Sequence, residues 1–475
     1  MKHLKVNLML IAMLAFSIMS VSCNEQKPPV DNPENNNLED TSKVVEPVGD
    51  LEPFVLSVPV TDDWIFSGKP EITIHIENPN KVAVTAEIKV KISTDTKKEV
   101  TTIEKKEEIA ANAKTDIVIT TEENLAPGFY KATCAVNKKI AMAGAKKYQT
   151  FCFGIDPFDI ESAPDKQSDY DKFWDDAKAQ LAAVEMNATL TEITKKSSST
   201  RKVYLVEMQS VPDGLTGEPV TIRGYYCEPQ DDAKHPVIMH FYGYDSQNTK
   251  SKVECPSGGS SQYAEFYLSH RGQYLNNRPA SSREPDGKGD FENIYGDWFA
   301  YHFGDKDSYY YRGAFMDCVQ AVNFMASRST SDMSNLFAEG SSQGGALSYA
   351  AAALSDYPFT AIAPNVAFLG DFPDYFKIVS WPAETAKANK GSMSDEEMYK
   401  FLSYFDTKNL ATRISCAVLA TSGLQDGTCP PHTNIAPYNN LKSTDKEYHF
   451  YPEMQHDYPA NWSSMIMTFF KERIK

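Results

Sequence analysis

Leu336-Phe337-Ala338-Glu339-Gly340-Ser341-Ser342-Gln343-Gly344-Gly345-Ala346 carries the reading of the fold. A short apolar run enters a glycine turn, and a small-residue helix over Ala346 to Leu354 leaves it. Gly-x-Ser-x-Gly occurs once in the 475 residues, and a pattern this loose arises by chance in such a chain with probability on the order of one in ten. The setting adds the missing weight, because a strand before and a helix after are what a sharp turn exposing a serine requires. Residues two before and two after that serine crowd its backbone, and glycine at 340 and 344 removes the Cβ atoms that would clash. The register selects Ser342 as candidate nucleophile, since Ser341 lacks glycines on both sides.

Outward from the turn, strands alternate with helices. Val237 to Phe241 is a short apolar run suited to a strand buried on both faces. Tyr170 to Leu181, Tyr311 to Ala326 and Trp462 to Ile474 carry apolar residues at helical spacing. Thr360 to Ala363, Cys416 to Ala420 and Glu447 to Tyr451 supply further strands. This alternation predicts an open, mostly parallel α/β sheet. A serine hydroxyl needs a base to accept its proton, and in a sheet of this kind acid and histidine follow the serine in sequence. Only His432, His449 and His456 lie downstream. His449 sits inside an apparent strand and His432 crowds behind Asp426. His456 falls in the loop between the last strand and the last helix and is the favoured base. Among the carboxylates, Asp426 follows the strand ending at Ala420, at the sheet's carboxyl edge. Asp445 is a rival in a charged turn, and Asp371 and Asp374 suit a cap segment.

Upstream the texture differs. Residues 51–156 show alternating runs, such as Glu71 to Ile76 and Ala83 to Ile92, separated by turn residues. They predict an all-β, immunoglobulin-like sandwich, read as a spacer or interaction module because no His, Cys or carboxylate cluster appears in it. Residues 157–475 form the α/β domain. Residues 1–22 read as a signal, with Lys2 and Lys5 ahead of an apolar stretch and small residues before Cys23. That order resembles a bacterial lipobox, which makes Cys23 the lipidation site of an exported, outer-membrane lipoprotein. Residues 23–50, rich in Pro, Asn, Glu and Asp, read as a flexible tether. The formal net charge of −17 disfavours nucleic acid and anionic lipid surfaces as partners. Seven cysteines beyond Cys23 include no CxxC pair, so zinc-site spacing is absent.

From about Asp156 onward the chain resembles the acetyl xylan esterase and cephalosporin-C deacetylase family, carbohydrate esterase family 7 of the α/β-hydrolases. The marks run in order: Tyr242-Gly243-Tyr244, Arg271-Gly272-Gln273, Tyr310-Tyr311-Arg312-Gly313, Gly340 to Gly345, Gly423-Leu424-Gln425-Asp426 with Cys429-Pro430-Pro431, and Tyr451-Pro452-Glu453 before His456. The resemblance implies an α/β-hydrolase fold and a triad of Ser342, Asp426 and His456. It also implies an oxyanion hole from the backbone N–H groups of Tyr244 and Gln343, and removal of acetyl groups from xylan or other acetylated carbohydrates without metal or cofactor. Tyr244, Trp298, Tyr309 and Tyr310 are either sugar-facing or core aromatics. Two departures stand near the substrate side: Tyr274 replaces a further glycine, and Ser269 and His270 occupy the place of an acidic residue. Compact family members form ring-like hexamers, so a homo-oligomer is an expectation that the extra domain works against. The rival functions are another serine acyl hydrolase, such as a peptidase or an aromatic-acid esterase, and a non-catalytic surface glycan-binding lipoprotein.

Overall fold

Strands from opposite ends of the α/β region meet in a nine-stranded sheet, ordered β17-β16-β15-β14-β12-β13-β11-β10-β9. Its members are β9 (Thr189–Glu192), β10 (Arg201–Pro212), β11 (Pro219–Pro229), β12 (His235–Phe241), β13 (Ala264–Ser269), β14 (Ser331–Ser341), β15 (Ala361–Asn365), β16 (Ala417–Gly423) and β17 (Lys446–Tyr451). The run from β13 to β17 is parallel, and β9, β10 and β11 add antiparallel edge pairing. The structure, a computed structural model, describes residues 51–136, 148–214, 216–245, 253–256, 261–275 and 295–475. The signal-like residues, Cys23 and the tether lie outside the described residues.

Helices α1 (Tyr170–Ala182), α2 (Tyr310–Ala326), α3 (Gln343–Leu354) and α9 (Trp462–Lys471) accompany the sheet, with short helices α4 (Phe372–Ile378), α5 (Ser380–Asn389), α6 (Asp395–Leu402), α7 (Thr407–Ala411) and α8 (Pro431–Asn439) between. Strand β14 shows why its sequence is apolar without alternation. Leu336 and Ala338 join the large core cluster on one face. Phe337 joins the α9 cluster on the other, its ring centroid 4.7 Å from that of Phe470. A strand covered on both sides needs no polar face.

The N-terminal region is β-rich, as expected. One sheet is ordered β1-β3-β6 and the other β2-β8-β7-β4-β5, from β1 (Val55–Ser57), β2 (Ile65–Phe66), β3 (Ile72–Glu77), β4 (Val84–Thr94), β5 (Glu99–Ile109), β6 (Lys114–Ile119), β7 (Gly128–Val136) and β8 (Tyr148–Ile155). Ile72, Ile74 and Ile76 of β3 and Ile88, Val90 and Ile92 of β4 point inward, while Lys89–Glu104 and Lys106–Glu87 pair outside. The sequence pattern missed β5 because its Lys and Glu residues suit an edge strand that must resist further pairing. Buried side chains of the β-rich and α/β regions form one continuous cluster, and residues 52–475 form one compact unit.

Candidate active site

Ser342 stands between β14 and α3 with φ 59° and ψ −121°, a backbone conformation that costs a non-glycine residue about 1–3 kcal/mol. The glycines around it are sterically required. A Cβ at Gly340 would overlap the Gly344 backbone, and one at Gly344 would overlap the Phe241 carbonyl at the end of β12. The turn is therefore wedged between its own helix and the neighbouring strand, which presents Ser342 at the sheet's carboxyl edge.

Asp426 and His456 come together there. His456 Nδ1 lies 2.7 Å from Asp426 Oδ2. A carboxylate oxygen accepts, so Nδ1 is the donor of this bond and Nε2 is the ring nitrogen that it leaves for another partner. The Asp426 side chain is fully buried, and its Oδ1 accepts the backbone N–H groups of Thr428 (2.7 Å) and Cys429 (2.9 Å). The Cys429 thiol lies against Ser342, Tyr375 and Asp426, and burial pushes its pKa well above the usual thiol range. Among the described hydrogen bonds none joins Ser342 Oγ directly to His456; in hydrolases without substrate this contact is often long and closes on binding.

Asn365, at the end of β15, joins the two halves of the site. Its amide donates to Ser341 Oγ (2.8 Å) and to the Asp457 carbonyl (3.1 Å), while its oxygen accepts from Thr421 Oγ1 (2.5 Å). The residue before Ser342 and the residue after His456 thus share one buried amide. Nothing in the sequence around Asn365 signals this, because the three partners are far apart along the chain.

The other histidines have different places. His449 lies on β17 with a half-exposed side chain beside Glu447. His432 is held among carboxylates, with Nδ1 3.0 Å from Asp95 and Nε2 3.3 Å from Asp374 and 3.7 Å from Asp371. Asp371, Asp374 and His432 are spaced so that they could hold a metal ion. Lys408 and Ser162 donate to Asp371, and Lys377 donates to Asp374. Burial opposes charging His432, but the three carboxylates prevail and push its pKa up to about 11.

The motif residues form the wall behind the turn. Arg271 makes a buried two-pronged pair with Asp317 (Nε–Oδ2 2.9 Å, Nη2–Oδ1 2.7 Å). Gln273 donates to the Gly243 carbonyl at 3.2 Å, holding the loop that precedes Tyr244. The Gln343 side chain is buried, accepting from Tyr311 Oη (2.9 Å) and facing His270 Nε2 (2.9 Å). Its backbone N–H is the first of α3, and the first N–H groups of a helix have no partner within it. Of the four aromatic residues that sequence left open between a sugar-facing and a core place, Trp298, Tyr309 and Tyr310 are buried core residues. They pack between α2 and the segment before it because Tyr309 Oη and Tyr310 Oη find carbonyl acceptors inside, on Phe299 and Arg271. Tyr244 stays partly exposed. Sequence reasoning missed Trp381 on α5, which is 43% exposed and sits edge-on to Tyr244 at 6.0 Å between ring centroids.

The family profile described as Acetyl xylan esterase (AXE1) matches residues 159–473. This chain belongs to the acetyl xylan esterase family. As a member it is a carboxylic ester hydrolase on an α/β-hydrolase fold. Acetyl esterase Axe7A of Xylanibacter ruminicola is 25% identical over 324 residues, covering 68% of this chain and 71% of that protein. The acetyl xylan esterase from Paenibacillus sp. R4 superposes with a TM-score of 0.54 at 29% identity, covering 67% of this chain and 98% of its own. Acetyl xylan esterase 1 from Thermoanaerobacterium sp. JW/SL YS485 gives the same TM-score and coverage at 23% identity, a likeness of fold. The residues that the profile matches begin after the β-rich region.

Proposed function

We propose that this esterase removes acetyl groups from acetylated carbohydrates of the xylan type, with Ser342 as nucleophile, His456 as base and Asp426 as the acid that orients it. The hydrogen bond between His456 and the buried Asp426, beside the strained Ser342 turn, is the observation that carries the reading. His456 Nε2 takes the Ser342 proton as Oγ attacks the acetyl carbonyl. The negative oxygen so formed is received by the backbone N–H groups of Tyr244 and Gln343, each such donor contributing typically about 3 kcal/mol to the transition state. The imidazolium then returns its proton to the departing sugar hydroxyl, leaving acetyl-Ser342. Water, deprotonated by His456, releases acetate and restores the serine. Asp426 keeps the proton of the neutral ring on Nδ1 and stabilises the imidazolium.

The exposed indole of Trp381 beside Tyr244 supports a carbohydrate substrate, since an aromatic face outside the core offers a sugar ring a stacking surface. The test uses p-nitrophenyl acetate and an acetylated xylo-oligosaccharide. Ser342→Ala loses turnover of both by up to about 10⁶-fold; an inactive wild type, or equal rates in the two proteins, overturns the proposal. Trp381→Ala raises KM for the oligosaccharide about three- to tenfold and leaves that for p-nitrophenyl acetate within twofold. An equal change for both substrates assigns Trp381 to packing against Tyr244 instead. Export and anchoring through a lipidated Cys23 complete the proposal, supported by the small residues preceding that cysteine.

A further inference from the structure

The loop from Gly423 to His432 carries Asp426, and contacts from the β-rich region flank that residue. On one side stands Gln425. Its Oε1 accepts the Cys152 N–H at 2.9 Å, and its Nε2 donates to the Cys152 carbonyl at 3.1 Å. Strand β2 covers β8 only at Gly154 and Ile155, so the Gln425 amide takes the place of a neighbouring strand at Cys152. A carboxamide offers donor and acceptor in one plane, as a peptide group does. The same Nε2 donates to the Pro452 carbonyl at 2.7 Å, in the loop that leads to His456. One side chain therefore joins the β-rich region, the acid loop and the base loop. On the other side stands His432, whose Nδ1 meets Asp95 Oδ2 at 3.0 Å in the turn after β4. Phe129 of β7 lies beside it, 6.4 Å from the His432 ring and 6.0 Å from Phe450 of β17.

We infer that the β-rich region is a positioning element of the esterase site, holding the Asp426 loop through Gln425 and His432, with Gln425 as the principal positioning residue. The inference rests on the roles proposed for Asp426 and His456. A spacer would contact the enzyme anywhere on its surface; these contacts bracket the buried acid and reach the base loop. Neither Gln425 nor Asp95 needs to touch substrate, so their loss acts on the geometry of proton transfer.

The test compares full-length wild type, Gln425→Leu and Asp95→Ala. Active sites are counted by titration with a phosphonate that reacts with Ser342, kcat and KM are measured on p-nitrophenyl acetate, and the downfield proton resonance of His456 Nδ1–H is recorded. The expected result for Gln425→Leu is a kcat per titrated site lowered between about 10- and 100-fold. KM stays within twofold and the resonance is displaced or broadened, with a smaller change of the same kind in Asp95→Ala. Unchanged kcat per titrated site with an unchanged resonance in both variants overturns the inference, as does a loss of rate matched by the loss of titratable sites. A wild type that shows the resonance but no turnover overturns the esterase mechanism alone, and displacement of the resonance in the variants then still supports the positioning role.

Discussion

His270 is a buried histidine whose two nitrogens face different partners. The Gln343 amide nitrogen, which can only donate, faces Nε2 at 2.9 Å. The ring proton therefore sits on Nδ1, toward Tyr310 Oη at 2.9 Å, while Tyr310 itself donates to the Arg271 carbonyl at 2.6 Å. A second proton on Nε2 would direct one donor at another. Burial pushes the His270 pKa down to about 4, against the pull of the Asp317 carboxylate and with the help of the Arg271 guanidinium. In the unfolded chain a histidine titrates near 6.5. Between about pH 6.5 and 4 the unfolded chain therefore binds more protons, and stability falls as pH falls through that window, by on the order of 3 kcal/mol in full. His270→Gln keeps an acceptor for Gln343 and cannot titrate. Urea denaturation at pH 7 and pH 5 is expected to show a smaller loss of stability in the variant than in wild type. An equal loss in both would assign the acid sensitivity elsewhere.

Helix α2 and the loop after β13 explain why the Arg271-Gly272-Gln273 and Tyr310-Tyr311-Arg312-Gly313 motifs occur together. The Arg271 guanidinium lies across Gly313, where any Cβ would overlap it. There it reaches Asp317 one helical turn further on, and Asp317 also accepts from Ser210 Oγ at 2.6 Å. The pair is nearly free of solvent, so displacing one partner leaves a buried charge uncompensated. Gly313→Ala is expected to destabilise the protein by about 3–5 kcal/mol, read as a lower urea midpoint with unchanged slope. A loss below about 1 kcal/mol would mean that Arg271 finds another seat. With Arg271 seated, Gln273 holds the Gly243 carbonyl, so the same loop supports the backbone that presents Tyr244.

The esterase combines an acidic surface, a continuous core across two regions and an N-terminal stretch that reads as an export signal. Among the described residues no helix is long and apolar enough to cross a membrane. One acyl chain anchors only marginally and two suffice. In a bacterial host, radiolabelled fatty acid is expected in the wild-type protein and absent from Cys23→Ala, while both hydrolyse p-nitrophenyl acetate at equal rates per titrated site. Label retained in the variant would refute the anchor.

The strand–turn–helix around Ser342 was legible because its pattern is local, glycines two residues to either side between an apolar run and a small-residue helix, although the clash that requires glycine at 344 comes from the distant Phe241 carbonyl. Asp426 and His456 were legible from their places after strands, since a parallel sheet collects such loops at one edge. The edge strand β5 was not, because its Lys- and Glu-rich run lacks the apolar alternation that a half-buried strand leaves in sequence. The choice among the aromatics also lay beyond sequence: Trp298, Tyr309 and Tyr310 are buried by packing of α2, and Trp381 is left outside. Asn365 and Gln425 were silent for the same reason. Each acts through an amide whose partners come from distant parts of the chain, and hydrogen bonding at that range leaves no periodicity to read. Local sterics and strand order thus pointed to Ser342, Asp426 and His456 as candidates, while long-range packing alone set contacts of the β-rich region on both sides of Asp426.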